Sequence, residues 1–288
     1  MSFYKGIDVS YHQGSIDWEK VKRDGIQFAI LRDGYGRFLD QKDKKFEENY
    51  KNAKAAGIPV GAYHYSYATD VEGAKKEAEV CKKFIEGKRF EYPIAYDVED
   101  SKQSNLSRKE LTEIVRTFCS EMEEAGYYVC IYASLSWLKN KLDMSALKDY
   151  DVWLAHWAST PGYNGSIGLW QNSSKGSVDG ICGHVDTNVS YKNYPSVIKK
   201  AGLNGYKIDS SGKEIKELKA GDRIKLKSAP LYISSKAKLK VRKANGIFYA
   251  YDGKEINGRY RITGNKNKVG KKPVGFNVTG WINKEDAM

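Results

Sequence analysis

The chain has 288 residues, 41% of them hydrophobic, and a formal net charge of +12. That composition excludes a disordered or low-complexity chain, and the length accommodates one large domain and a small one. No apolar run approaches the roughly 20 residues that a membrane-spanning helix needs, so no membrane insertion is expected.

The charge is unevenly placed. Residues 1–200 carry 28 Lys+Arg against 28 Asp+Glu, whereas residues 201–288 carry 20 against 8, so the whole excess sits in the last stretch. Such a break predicts two domains with different partners, residues 1–202 and 203–288. The opening segment Met1–Asp8 has no charged region followed by an apolar core, so no secretory leader is expected. The cysteines, Cys81, Cys119, Cys130 and Cys182, are widely spaced and lack a metal-ligand pattern. They read as reduced thiols, and no metal or cofactor is expected.

In chain order, short apolar strands alternate with amphipathic helices. The strands are predicted at Gly6–Val9, Phe28–Leu31, Val60–Tyr65, Ile94–Val98 and Tyr128–Tyr132. The helices lie between them at Asp17–Arg23, Asp43–Ala56, Glu72–Ile85 and Ser107–Ala125. The last opens with the capping-box spacing Ser107…Glu110 and closes at Gly126. This alternation predicts a parallel sheet with right-handed crossovers.

Further strands are predicted at Asp151–Ala155, Gly168–Gln171 and Gly183–Asp186, with gaps too short and too rich in Gly, Ser and Asn for full helices. The fold class expected is therefore α/β: an irregular (β/α) barrel of about eight strands with its later helices missing. From about Tyr206 the pattern turns all-β. Alternating runs at Arg223–Leu226, Leu239–Arg242 and Gly258–Ile262 are separated by turn signals at Ser211-Gly212, Asn245-Gly246, Asp252-Gly253 and Asn257-Gly258.

The run Tyr92-Pro93-Ile94-Ala95-Tyr96-Asp97-Val98-Glu99-Asp100 carries the chemistry. Side chains alternate across a strand, so Asp97 and Glu99 face the same side. Like charges held that close raise at least one pKa, and a protonated carboxyl beside an ionised one suits acid-catalysed glycoside cleavage. Barrel active sites lie at the C-terminal strand ends. Asp8, Arg32, Tyr63, Tyr65, Asp97, Glu99, Tyr132, Trp157, Gln171 and Asp186 are all predicted at such ends. His12 and His64 have no metal-binding spacing and are read as hydrogen-bonding residues; Trp18, Trp137 and Trp153 are assigned to packing.

The motifs Lys5-Gly6-Ile7-Asp8-Val9-Ser10-Tyr11-His12-Gln13-Gly14, Gly61-Ala62-Tyr63-His64-Tyr65 and Tyr96-Asp97-Val98-Glu99 occur in that order. They are followed by Tyr132-Ala133-Ser134, Val152-Trp153-Leu154-Ala155-His156-Trp157, Leu169-Trp170-Gln171 and His184-Val185-Asp186. With these, residues 4–198 resemble the family 25 glycoside hydrolases, the lysozyme-type muramidases of phage endolysins and bacterial autolysins. The resemblance implies cleavage of the β-1,4 bond between N-acetylmuramic acid and N-acetylglucosamine in peptidoglycan. It makes Glu99 the general acid, Asp97 its partner carboxylate, and Asp8 and Asp186 the rest of an acidic ring. It also implies that Tyr63, Tyr132 and Trp157 line the groove; Tyr65, Gln171 and Arg32, at neighbouring strand ends, are expected as further substrate contacts, and Arg32 is expected to pair with a site acid and keep it ionised. An Asp two residues before the acid favours a substrate-assisted mechanism.

The tail resembles a bacterial SH3-type wall-binding domain through Lys219–Leu226, Ala229-Pro230-Leu231-Tyr232 and Gly280-Trp281-Ile282-Asn283. Its charge suits the anionic polymers of Gram-positive walls. The expectation is an enzyme made in the host cytoplasm that acts at the wall after release. A non-catalytic glycan-binding protein on the same fold is the alternative. A nucleic-acid-binding role is not expected, because an acidic barrel rim repels phosphates.

Overall fold

A computed structural model describes residues 3–208 and 218–287. The chain divides into two compact units, residues 1–214 and 215–288. The Ser211-Gly212 turn lies outside the described residues.

The first unit is a closed eight-stranded barrel in sequential order. Its strands are β1 (Tyr4–Val9), β2 (Phe28–Tyr35), β3 (Val60–Tyr65), β4 (Ile94–Asp97), β5 (Val129–Ser134), β6 (Asp151–Ala155), β7 (Leu169–Gly176) and β8 (Val185–Ser190). Helices α1 (Trp18–Arg23), α2 (Phe46–Ala55), α3 (Val71–Ile85) and α4 (Arg108–Glu124) fill the first four crossovers. Only the six-residue α5 (Leu135–Asn140) separates β5 from β6, and no helix separates β6, β7 and β8. The later helices are thus reduced or absent, as the short gaps require. The helix α6 (Tyr194–Ala201) follows β8; the sequence reading did not include it or α5.

One expectation is corrected. β8 is antiparallel to both β7 and β1, so Asp186 stands at its N-terminal end and not at its C-terminal end. With no helix to carry the chain back, the link from β7 can only make a hairpin. The reversal leaves Asp186 on the same rim as the other acids, directly across from Asp8 in the register.

Strand parity separates two cores. Ile7, Ala29, Leu31, Ile94, Tyr96 and Val98 face outward and pack with the apolar faces of α3 and α4. Phe28, Ile30, Ala95, Cys130, Tyr132, Trp153 and Leu169 face inward and meet Tyr194 and Ile198 of α6. Side chains alternate along a strand, so continuing the inward set toward the C-terminal ends gives Arg32, Asp97, Glu99 and Gln171. The site is thus the upper continuation of the barrel interior.

The chain after α6 returns to the barrel. Asn204 is fully buried, donating to Tyr92 O and accepting from Tyr128 N at 2.9 and 2.7 Å. The Tyr206 hydroxyl donates to Glu91, which also pairs with Lys54. Residues 203–206, expected in the second domain, therefore pack in the first unit.

The second unit is a four-stranded antiparallel sheet of order β12-β11-β10-β9. Its strands are β9 (Arg223–Leu231), β10 (Arg242–Ile256), β11 (Arg259–Thr263) and β12 (Gly280–Asn283). Asn257-Gly258 makes the β10–β11 turn with both residues at positive φ, 52° and 73°, the geometry that Asn-Gly supplies. Asn245-Gly246 and Asp252-Gly253 do not end strands. Both fall inside β10 at register shifts, where an extra residue bends a long strand. Leu239-Lys240-Val241 lies in the β9–β10 loop, and β10 begins at Arg242.

Behind the rim lies a buried ion pair. His64 Nδ1 meets Asp33 Oδ1 at 2.9 Å and Nε2 meets Gly36 O at 2.8 Å, and His64 and Asp33 are fully buried. Burial opposes charge on His64, but the Asp33 carboxylate and its hydrogen bond outweigh it and raise the histidine pKa. A pKa raised above the unfolded value of about 6.5 gives stability that is fully present below pH 6.5 and lost as pH rises through the folded value. His64→Gln is expected to cost about 3 kcal/mol at pH 6 by leaving Asp33 without its charged partner. In urea denaturation at pH 6 to 9, the wild-type advantage over the variant is expected to shrink as the pH rises.

Candidate active site

Asp8 comes from β1, Asp97 from the end of β4, Glu99 from the segment just after it and Asp186 from β8, and the barrel's closure brings them together. Asp8 is 5% exposed, and its Oδ2 accepts from Gln171 Nε2 at 2.9 Å and Asn188 Nδ2 at 2.7 Å. Indole N–H groups only donate, which fixes how both amides are turned. Trp153 Nε1 donates to Asn188 Oδ1 at 2.7 Å, and Trp157 Nε1 donates to Gln171 Oε1 at 3.0 Å. The Tyr132 hydroxyl adds a second donor to that Gln171 oxygen at 3.1 Å. Both amides must therefore present N–H to Asp8.

Burial pushes Asp8 up to about 7, reinforced by the neighbouring Asp186 charge and opposed by the Asn188 and Gln171 hydrogen bonds. Asp97 is 5% exposed, and its Oδ1 is buried with no hydrogen-bond partner among the described residues. Burial raises it well above the usual carboxylate range, helped by Glu99 and Asp8 and opposed by the Arg32 guanidinium. Glu99 is half-buried and is raised by burial and by Asp186. Asp186 is raised by burial as well. Four carboxyls that all resist ionisation form a proton-holding cluster.

The other expected residues take distinct places. Tyr63 is half-buried and meets Trp153 edge to face at 6.0 Å. Tyr132 is buried at 7% exposure, with its ring against Trp153 at 4.6 Å, so it belongs to the inner core as well as to the rim. Trp157 stands 62% exposed, a free indole face of the kind that stacks on sugar rings. The Tyr65 hydroxyl donates to Asp100 at 3.2 Å. Arg32 was expected to pair with a rim acid. Its hydrogen-bonded partner is instead Asp43, with Nε to Oδ2 at 2.8 Å, on the segment leading to α2. A guanidinium so neutralised reaches Asp97 only through space.

Two hollows flank the acids. One of about 400 Å³ is lined by Tyr11, Arg32, Tyr35, Lys44, Tyr65 and Tyr67 among others. The other, about 620 Å³, is lined by Glu99, Tyr132, Leu135, Asn140, His156 and Trp157 among others. Both hollows have aromatic walls, and Glu99 lines the second. Asn188 was absent from the sequence reading, and Asp43 figured there only as the start of a helix. Asn188 could have been found as the same-face residue two places after Asp186, whereas Asp43 carries no local signal.

Asp33, His64 and Cys81 lie close enough to share a cation. Their donor atoms are already engaged, since Cys81 Sγ donates to Asp33 Oδ2 at 2.9 Å and both His64 nitrogens have oxygen partners. Hydrogen bonding accounts for the cluster.

A family model described as glycosyl hydrolases family 25 matches residues 7–181. An autolytic lysozyme of Clostridium acetobutylicum is 33% identical over 183 residues, which is 63% of this chain and 54% of that protein. The chain thus spans about half the length of that relative. The modular autolysin LytC of Streptococcus pneumoniae, solved with a synthetic peptidoglycan ligand, is similar at 30% identity and a TM-score of 0.60. That match covers 66% of this chain and 47% of LytC. A bacterial lysozyme from Streptomyces coelicolor aligns at 27% identity and a TM-score of 0.57, over 71% of this chain and 98% of that structure.

Replacing Gln171 with Met keeps the volume and removes one of the two donors to Asp8. The Asp8 pKa is expected to rise further above about 7, as followed by carboxyl carbon-13 shifts during a pH titration.

Proposed function

We propose that the chain, which belongs to family 25 of the glycosyl hydrolases, is an N-acetylmuramidase that cleaves peptidoglycan between N-acetylmuramic acid and N-acetylglucosamine. The observation that carries this reading is the cluster of Asp8, Asp97, Glu99 and Asp186, all raised above ordinary carboxylates, with Glu99 opening onto a hollow walled by Tyr132 and Trp157. The autolytic and lysozyme names of its relatives agree with it.

Glu99 is the general acid. Burial and the Asp186 charge raise its pKa, it is less buried than Asp97, and it faces the hollow that contains Trp157. It donates that proton to the glycosidic oxygen as the bond breaks. The leaving sugar then lies on the Trp157 side. Asp97 points an unpartnered buried oxygen into the same cluster. In a substrate-assisted course the acetamido oxygen of the sugar attacks its own anomeric carbon, and Asp97 orients the acetamido group and stabilises its developing positive charge. Water then opens the cyclic intermediate, with Glu99 taking back a proton. Asp8 and Asp186 share protons with Asp97 and Glu99, and the negative charge that the cluster retains stabilises the cationic transition state.

The second unit serves as a wall anchor of SH3 type. Its support is a basic, all-β composition, since the chain's whole net charge of +12 falls after residue 200. Attraction to anionic wall polymers is electrostatic and weakens with salt. Sedimentation of the full chain with purified Gram-positive walls is expected to fall between 50 mM and 500 mM salt.

Glu99→Gln is expected to lower wall lysis by about 10²–10⁴-fold, the range for removing a general acid. Mass spectrometry of wild-type digests should show fragments with muramic acid at the reducing end. Glucosamine at that end, or cut peptide bonds, would assign another reaction. Asp186→Asn removes a charge that raises Glu99, so Glu99 should lose its proton at lower pH. The alkaline limb of kcat/KM is expected to move to lower pH, and an unmoved limb would separate Asp186 from the acid.

A further inference from the structure

The β9–β10 loop, residues 232–241, exposes aliphatic side chains that electrostatic wall-polymer binding does not use. Between Arg223 and Tyr251 the chain holds eight Lys and Arg and no Asp or Glu. Lys238, Lys240, Arg242 and Lys243 are exposed in one continuous run. Interleaved with them, Ile233, Leu239 and Val241 are 75%, 83% and 61% exposed. The ion pairs seen among the described residues of the unit, Arg261 with Asp252 and Lys284 with Glu255, do not involve these cations.

The loop is nevertheless built. The Arg259 guanidinium lies over the Tyr232 ring at 3.4 Å and donates to Ser234 O at 3.1 Å and Ala237 O at 2.7 Å. The Asn257 amide donates to Ser235 Oγ at 3.2 Å, and Tyr232 pairs with Trp281 backbone to backbone. With its base fixed in this way, the tip presents alternating cationic and aliphatic side chains.

A soluble polyanion would engage the lysines and leave the aliphatic groups in water. An anionic bilayer surface engages both, because phosphates meet the cations and the interfacial layer takes the apolar side chains. We propose that the β9–β10 loop is a peripheral docking surface for an anionic phospholipid bilayer. The lysines and Arg242 lie on headgroup phosphates while Leu239, Val241 and Ile233 enter the interface. Docking of this kind needs no spanning segment, and no helix among the described residues is long and apolar enough to cross a membrane. The inference is independent of the muramidase reading.

The test is sedimentation of the full chain with sucrose-loaded vesicles, either phosphatidylglycerol mixed with phosphatidylcholine or phosphatidylcholine alone. The chain is expected to sediment with the anionic vesicles and stay in solution with the zwitterionic ones. Leu239→Asn, at an exposed position that carries no fold contact, is expected to lower partitioning by about tenfold. The pair Lys238→Gln and Lys240→Gln is expected to lower it by at least about tenfold. Leu239→Asn, which leaves the charge of the unit unchanged, should lyse purified, lipid-free walls like the wild type. Three results would overturn the proposal: no sedimentation with anionic vesicles, undiminished sedimentation of Leu239→Asn, or loss of lipid-free wall lysis by that variant. The second would reduce the loop to a polyelectrolyte contact, and the third would assign it to the wall.

Discussion

Burying a carboxylate is unfavourable unless it is hydrogen-bonded, paired or protonated, and the barrel resolves this conflict at Asp8 by the first and the last of these. Two amides donate to it, and its pKa, pushed up by burial and by the neighbouring Asp186, climbs to about 7. The amides cannot turn away, because Trp153 and Trp157 each offer an indole N–H that only their carbonyl ends can accept. Two tryptophans, two amides and one aspartate from β1, β6, β7, β8 and the segment after β6 thus form a single polar unit. Strand closure between β8 and β1 is what assembles it.

A second polar network stiffens the back of the same strands. Tyr96 lies between Ala95 and Asp97 on the outward parity; its ring stacks on Phe118 at 3.8 Å and its hydroxyl donates to the buried Glu77 at 2.6 Å. Glu77 also accepts from Tyr67 N at 2.8 Å, and Ser66 and Gln103 complete the chain. His64, between Tyr63 and Tyr65, does the same for β3 through Asp33, which precedes Gly34 on β2. Every rim residue of β2 to β4 therefore has an outward neighbour tied to α3 or α4, or to a loop. Such supports hold a site to the tolerance that acid catalysis demands.

The two units solve different problems. The barrel is electrically balanced overall, and places its acids where solvent is scarce. The second unit carries the positive excess on exposed side chains around a small apolar core of Ile224, Leu226, Leu231, Ile262 and Ile282. Its long strand β10 accommodates two glycine-containing register shifts, which lets a four-stranded sheet curl over that core.

Much of this was legible in the chain. Short apolar runs and capping signals located the first seven strands and the four helices of the first four crossovers, because those patterns are local. Membership of the inward face followed from parity, so Asp97 and Glu99 could be paired from their spacing alone. The direction of β8 could not be read, since an antiparallel return depends on the missing crossover and on closure against β1. Arg32 shows the same limit: its charge and place on β2 were plain, but its choice of Asp43 over a rim acid is a matter of loop path. Asn245-Gly246 and Asp252-Gly253 looked like turns and are bends, because a dipeptide does not record whether its neighbours continue pairing. The sequence by itself determined the strands, their facing sides and the acids on the rim, through steric periodicity within short segments. Only the tertiary structure decided which amides orient Asp8 and how far each acid is stripped of water, because desolvation and hydrogen-bond partnership come from groups distant in the chain.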